Sequence, residues 1–307
     1  MITPNETRLA KHCISHAKAC GASAARVYLN KCVTDSYTIL NGELDKVTHS
    51  ADRSIYIYLY VDGRYGTFST NRLEEKELED FVVRAIEMVR MLGEDECRQL
   101  PAPSRTAKDA VTGYELGLYD SSYESMDSQT RLANAHKLSI YDKIINDPEE
   151  KPYRLISEEC EYSCTSDESY TADSQGFEGR HSETAFGTFS EMTIQDKEGN
   201  RYSGYWWQAT PMAAETDFEG CGMMALERAV KQIGPKKRRS GRYRMVVDTS
   251  VASRLVSPLL TALNAASIQQ KMSFLEDSKD TKVFHEGMTL MDLARTPGKN
   301  GSRLFDT

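Results

Sequence analysis

The sequence lacks the long apolar runs that membrane-spanning proteins need. No stretch approaches the roughly 20 apolar residues that cross a bilayer, and the N-terminal MITPNETRLAKHC has no apolar segment of the signal-peptide kind. Positive charge is also scarce, because 38 Lys and Arg residues stand against 46 Asp and Glu residues, a net charge of −8. From these deficits we expect a cytoplasmic protein with no membrane contact and no nucleic-acid partner.

The motifs of common nucleotide-dependent enzymes and serine hydrolases are absent as well. The sequence contains no GxxxxGK[ST] phosphate loop and no GxSxG nucleophile turn. EGCGMMA at 219–225 imitates a GxGxxA dinucleotide fingerprint, but the polar segment before it, AAETDFEG, has no strand character. We therefore interpret 219–225 as the start of a helix whose glycines require no nucleotide.

The zinc peptidase motif that the pair His285-Glu286 suggests is incomplete. An HExxH site needs a second histidine at position 289, which is Thr289, and an HExxxH site needs one at 290, which is Leu290. Gly287 also disfavours a helix there. We interpret this stretch as a turn that leads into a strand, MTLMD.

Cysteine and histidine spacing offers no other metal site. The seven cysteines include no CxxC pair, and Cys160 and Cys164 have no partner cluster, which is typical of reduced cytoplasmic thiols. His12 and His16 are one helical turn apart and could bind a metal together. No Asp or Glu stands at a matching turn to complete the site, so we interpret the two histidines as part of a solvated helix face.

Hydrophobic periodicity and turn signals predict five helices and several antiparallel strands. The turn signals NG, DG, SQG and KEGN separate strands rich in Val, Ile, Tyr and Thr. A polar, proline-containing linker is expected at 94–113. The predicted helices are 3–22, 73–93, 127–146, 223–234 and 249–271, and the predicted strand regions are 25–70, 153–208, 243–248 and 288–292.

These elements indicate an α+β fold class in three parts. An N-terminal domain of helix, antiparallel strands and helix is expected over 1–103, and a middle α+β sheet region over 104–212. The segment 213–307 is expected to begin a β-rich C-terminal domain. Its basic run, KKRRSGRYR at 236–244, is interpreted as an exposed turn before a strand.

Three segments, in this order, resemble the TldD/PmbA proteins, which are also called modulators of DNA gyrase. NGELDKVTHSADRSIYIYLYVDGRYGTFSTNRLEEKELEDFVVRAIEMVRMLGEDECRQLP is similar to the N-terminal part of that family. DSQGFEGRHSETAFG is similar to its middle, and EGCGMMALERAVKQIGPKKRRSGRYRMVVD to the start of its C-terminal domain. The residues that carry the resemblance are Glu43, Asp62, Gly63, Arg64, Gly66, Ser69, Thr70, Leu100, Pro101, Ser174, Gly176, Phe177 and Gly179.

The resemblance implies a peptidase system in which two related subunits pair. The TldD-like subunit carries HExxxH on the helix after the last of these segments, has a further ligand toward its C-terminus, and hydrolyses unfolded or leader peptides. The PmbA/TldE-like subunit lacks the ligands. Here 253–271 contains neither His nor Glu, whereas zinc needs at least three protein ligands. We therefore expect a non-catalytic PmbA/TldE-like subunit with no metal and no cofactor, zinc being held by a TldD-like partner.

The resemblance also implies a shortened C-terminus. Family members continue well beyond a motif like FD.EG, whereas this sequence ends at Phe305-Asp306-Thr307. We expect a truncated C-terminal domain with unpaired strands, which would favour association with a TldD-like subunit or a second copy of the chain.

We expect a peptide substrate to bind by strand addition, in which main-chain hydrogen bonds give affinity with little sequence choice. Two alternatives remain: an active metal-dependent peptidase that takes ligands from another chain, and a regulatory protein associated with DNA gyrase, which the acidic balance disfavours. Small polar residues at two loop ends are the candidates for the peptide cleft: Ser69, Thr70, Asn71, Ser174, Gln175, Gly176, Phe177 and Glu178.

Overall fold

A computed structural model describes residues 2–306. The chain divides into two compact units, Met1–Gly234 with Leu293–Thr307, and Pro235–Asp292. Helices and antiparallel strands both contribute, as the α+β prediction requires. None of the described helices is long and apolar enough to cross a membrane.

The first unit is built on one six-stranded antiparallel sheet. Its strand order is β3-β2-β1-β4-β5-β6. Strands from both sides of the predicted boundary at residue 103 join in it, since Tyr28 of β1 lies opposite Thr171 of β4. The strands are β1 (Ala24–Leu40), β2 (Glu43–Val61), β3 (Arg64–Thr70), β4 (Tyr153–Asp173), β5 (Glu178–Asp196) and β6 (Arg201–Thr210).

Two-residue turns set the register of the first three strands. Asn41 and Gly42 have φ of 53° and 85°, and Asp62 and Gly63 have φ of 50° and 72°. Positive φ at both central residues is the hairpin geometry that NG and DG favour. The hairpins predicted at these sites are confirmed.

The described residues of the sheet unit form six α-helices. They are α1 (Pro4–Ala19), α2 (Glu75–Arg90), α3 (Ser122–Ser125), α4 (Ser128–Leu138), α5 (Tyr141–Ile145) and α6 (Glu219–Val230). Helix α1 begins with a capping box, because Thr3 Oγ1 accepts a hydrogen bond from Glu6 N and Glu6 Oε2 accepts one from Thr3 N. Helices α1 and α2 and their strands form one buried aliphatic core, while α4 and α6 pack over the β4–β6 side.

The single helix predicted over 127–146 is wrong, because a buried carboxylate interrupts it. Glu158 of β4 is fully buried and accepts hydrogen bonds from Ser139 Oγ, from Ile140 N at 2.8 Å and from Tyr141 N at 3.2 Å. These bonds end α4 and begin α5. Burial raises the pKa of Glu158, since desolvation disfavours its charged form.

The second unit contains two helices, α7 (Thr249–Leu263) and α8 (Ala265–Gln269). The helix predicted over 249–271 is split, because Asn264 Oδ1 accepts a hydrogen bond from Ala266 N at 2.9 Å and starts a new helix. The strands predicted at 243–248 and 288–292 are wrong. Both segments lack a partner strand within the described residues of this unit, and a strand needs one for its backbone groups.

Candidate functional site

The alternating sequence SIYIYLYV gives the first three strands two unlike faces. Ile57 and Leu59 point to one side and are fully buried beneath α1 and α2. The tyrosines between them point to the other side, where Tyr56 is 36% exposed. Neighbouring strands add two more tyrosines to this side, which we call the tyrosine face: Tyr28, Tyr56, Tyr58, Tyr60 and Tyr65.

The tyrosine face contains two pairs of neighbouring aromatic rings. The ring centroids of Tyr28 and Tyr56 are 5.8 Å apart, and those of Tyr60 and Tyr65 are 5.1 Å apart. The Arg98 guanidinium lies 5.3 Å from the centroid of the Tyr65 ring. Partial burial raises the pKa of Tyr58 and of Tyr60, so these phenols stay neutral and keep a hydroxyl that donates and accepts.

A cavity of about 570 Å³ lies at the end of this face. Tyr60 and Gln175 line it, together with charged side chains of both signs, among them Arg98 and Asp95. The Tyr60 ring beside polar groups of both charges can contact a ligand that has both apolar and polar parts.

The first group of predicted cleft residues is divided between the two sides of the sheet. Ser69 lies opposite Tyr56 and is exposed on the tyrosine face, whereas Thr70 lies opposite Ile55 on the other side. Both belong to β3 and not to a loop. Asn71 follows the strand and lines a separate cavity of about 420 Å³ with Glu6 of α1. Only Ser69 of this group adjoins the tyrosine face.

The second group, Ser174–Glu178, forms a tight turn that the buried Asp173 organises. Asp173 Oδ1 accepts hydrogen bonds from Gln175 N at 2.8 Å and from Phe177 N at 3.1 Å. Ser174 Oγ accepts one from Ala25 N at 3.1 Å, which fixes the turn to β1. Gly176 supplies the positive φ of the turn, 93°.

The outer side chains of this turn have structural partners. The Phe177 and Phe305 rings pack edge to face with centroids 5.5 Å apart. Glu178 accepts a hydrogen bond from the Tyr170 hydroxyl and lies 2.7 Å from Lys11 Nζ, and the Lys11 ammonium lowers its pKa. A cavity of about 170 Å³ lies against the turn, and Gln175 lines both this cavity and the one beside Tyr60. The eight predicted residues therefore do not share one pocket.

Sequence reasoning missed the tyrosine face as a site. The alternation in β2 was visible, but the contributions of Tyr28 and Tyr65 depend on the register of three strands. Arg98 comes from the segment predicted as a linker. The alternating tyrosines of 56–60, opposite buried aliphatic residues, were the signal that could have found it.

Helix α7 stands where, by the resemblance, catalytic relatives carry HExxxH. Its sequence, TSVASRLVSPLLTAL, contains no His, Cys, Asp or Glu and includes Pro258. Hydroxyls and aliphatic groups do not fit a zinc ion, which takes thiolate, imidazole or carboxylate ligands. The HEGMTLMD stretch offers no substitute, since His285 lies in an exposed turn where its Nδ1 accepts a hydrogen bond from Gly287 N.

Convergent ligand atoms occur elsewhere, on the first two helices. Among residues 2–306, His12 of α1 and Glu75 and Glu79 of α2 bring one nitrogen and two oxygens within 4.8 Å of one another. The interpretation of His12 as part of a solvated face overlooked these carboxylates, because they come from another helix more than 60 positions along the chain.

Comparison with known proteins gives matches along nearly the whole chain. Three family models match in order: PmbA/TldA metallopeptidase domain 1 at residues 25–89, the central domain at 71–233, and the C-terminal domain at 240–307. A curated relative, the metalloprotease PmbA homolog of Buchnera aphidicola, is 19% identical over 92% of this chain. The chain spans 61% of that relative's length.

Solved structures agree with these matches. A candidate modulator of DNA gyrase from Bacteroides thetaiotaomicron is 34% identical, with a TM-score of 0.88 over all of this chain and 68% of its own. TldE from Thermococcus kodakarensis shares the fold, with a TM-score of 0.59 at 15% identity over 88% of this chain and 58% of its own. The central-domain model alone covers more than half of the sequence, so this chain belongs to the PmbA/TldD family.

Proposed function

We propose that this chain is a non-catalytic, PmbA/TldE-like subunit of a TldD-type metallopeptidase system that acts on unfolded or leader peptides. The observation that carries the proposal is the composition of α7, which offers no ligand for a metal where the resemblance places the catalytic site. In this proposal the peptide bond is cleaved by a TldD-like partner, which holds the zinc.

The tyrosine face supports a role in peptide binding. Its rings present flat apolar surface and hydroxyls at low conformational cost, which suits side chains of varied sequence. Residues 43–54 of β2 extend beyond β3, so their outer edge is open for strand addition by an extended peptide. Ser69 and Gln175 lie at the margins of this surface, and we keep them as the candidate contacts from the predicted set.

The apolar side chains of the second unit support association with another protein. Val246 is 88% exposed and Met272 and Phe274 more than 70% exposed. Surfaces of this kind are typical of protein interfaces. We propose the TldD-like subunit as the partner. The alternative partner is a second copy of this chain, which would give a homodimer.

Co-purification tests the partnership. We expect the tagged chain to retain the TldD-like protein of the same source in a pull-down, with a stoichiometry near one to one by light scattering. Formation of a stable homodimer that excludes the TldD-like protein would contradict the proposal. Retention on double-stranded DNA at moderate salt would instead favour the gyrase-associated alternative, since electrostatic DNA binding weakens steeply with salt.

A further inference from the structure

We propose that His12, Glu75 and Glu79 form a binding site for a divalent transition metal of the zinc type between α1 and α2. His12 Nε2 lies 2.8 Å from Glu79 Oε1 and 4.0 Å from Glu75 Oε1. The three ligand atoms thus already converge on one point. The site is independent of the proposed function and shares no residue with α7.

The donor set selects the class of metal. One imidazole nitrogen with two carboxylate oxygens is a zinc ligand set that leaves the fourth position for water, whereas Ca²⁺ and Mg²⁺ prefer oxygen alone. Tetrahedral ligands at the usual zinc distances are about 3.3 Å apart. The separations of His12 Nε2 from the two carboxylate oxygens, 2.8 Å and 4.0 Å, lie on either side of this value, and all three ligand atoms lie within 4.8 Å of one another.

The two helices hold the ligands rigidly. Glu75 and Glu79 are one turn apart on α2, so their side chains lie on the same face. The residues beside the site on the inner faces, Leu9 and Cys13 of α1, are buried in the common core with Leu78 of α2. Because both backbones are fixed by this packing, binding requires no rearrangement of the fold.

Arg8 orients one of the carboxylates. Its Nη1 donates a hydrogen bond of 2.9 Å to Glu75 Oε2, which leaves Oε1 directed at His12. Outer partners of this kind fix ligand orientation in metal sites. The side chains of His12 and Glu79 are 31% and 38% exposed, so an ion can reach them from solvent.

The competing explanation is a plain network of ion pairs. Arg8 with Glu75 and His12 with Glu79 would account for these contacts without any metal. The two explanations differ in one respect, since only the metal site predicts selective zinc binding that depends on His12 and on both carboxylates.

Titration of the chelator-stripped full chain with Zn²⁺ by calorimetry distinguishes them. We expect one zinc to bind at this site, and Co²⁺ in its place to give the visible absorption of a low-coordinate nitrogen and oxygen site. His12→Gln and Glu79→Gln should each weaken zinc affinity at least tenfold, since even the loss of an outer partner costs about 10- to 100-fold.

Two matched variants serve as controls. His136→Gln removes an exposed histidine from α4, and Glu77→Gln removes a glutamate of α2 that pairs with Arg72. Both should bind zinc like the parent chain. Zinc should also raise the thermal midpoint of the parent but not of His12→Gln, which separates lost binding from lost folding. Absence of zinc binding, or equal affinity in His12→Gln and the parent, would overturn the proposal.

Discussion

The two faces of strands β1–β3 share one backbone and differ in almost everything else. On one face Val27, Ile57 and Leu59 are fully buried against two helices. On the other, tyrosines alternate with them in sequence, contact each other and remain partly open to solvent. Packing explains the first face completely. It does not explain why the second face carries five aromatic rings in place of the small polar residues of an ordinary solvated sheet, and we attribute them to peptide binding.

The largest expected effect concerns the aliphatic face. Ile57→Ala removes a fully buried side chain and leaves a cavity, so it should lower the free energy of unfolding by about 2–5 kcal/mol. Urea denaturation followed by circular dichroism measures this loss. A change below 1 kcal/mol would mean that this face is not the packed core described above.

The next effect concerns Glu158, a buried acidic residue of β4. Glu158→Ala leaves the buried N–H group of Ile140 without its acceptor, at a cost of about 1–3 kcal/mol. It also removes the acceptor of the partly buried N–H group of Tyr141. Urea denaturation of the variant should show this loss, and unchanged stability would rule out Glu158 as the cause of the break between α4 and α5.

The same carboxyl predicts a pH dependence. Burial raises the pKa of Glu158 above its unfolded value, so the folded state binds the proton more tightly. The associated stability is present below the unfolded pKa and is lost as the pH rises through the raised value. Glu158→Gln cannot titrate and should lose this component of the stability profile; identical profiles for the variant and the parent would contradict the assignment.

A smaller effect is expected at Gly66, where β3 approaches α2. A Cβ there would lie 2.8 Å from Val89 Cγ2 and 3.0 Å from Phe68 Cε2. Gly66→Ala should therefore destabilise by about 1–3 kcal/mol through overpacking. Gly93→Ala, at an exposed position where a Cβ would meet nothing within 4 Å, is the matched control and should leave the thermal midpoint nearly unchanged.

The smallest effect on stability, with the largest expected effect on binding, is at the tyrosine face. Tyr56→Ala removes a partly exposed ring and should cost less than about 1 kcal/mol of stability. Fluorescence anisotropy with a labelled unstructured peptide should show affinity weakened several-fold. Tyr205→Ala, on edge strand β6 and 44% exposed, should bind like the parent. Equal peptide affinities for the parent chain, Tyr56→Ala and Tyr205→Ala would contradict a role of the tyrosine face in peptide binding.

Local signals predicted the hairpins and most helices, because Asn41-Gly42 and the helical periodicities act over a few residues. Long-range contacts explain the rest. The break in 127–146 depends on Glu158, which the fold brings from β4. The pairing of His12 with Glu79 depends on the packing of two helices. The prediction of a strand at 243–248 was wrong because no partner strand lies among the described residues of its unit. For the candidate cleft, residue types could be predicted, but the side of the sheet on which each residue lies depends on strand register.

The proposed non-catalytic role of this chain is tested by hydrolysis of a quenched-fluorescent unstructured peptide by three samples: this chain, the TldD-like protein, and the two mixed. We predict no turnover by this chain with or without added zinc, and more turnover by the mixture than by the TldD-like protein alone. Zinc-dependent hydrolysis by this chain alone, abolished by a chelator, would contradict the account.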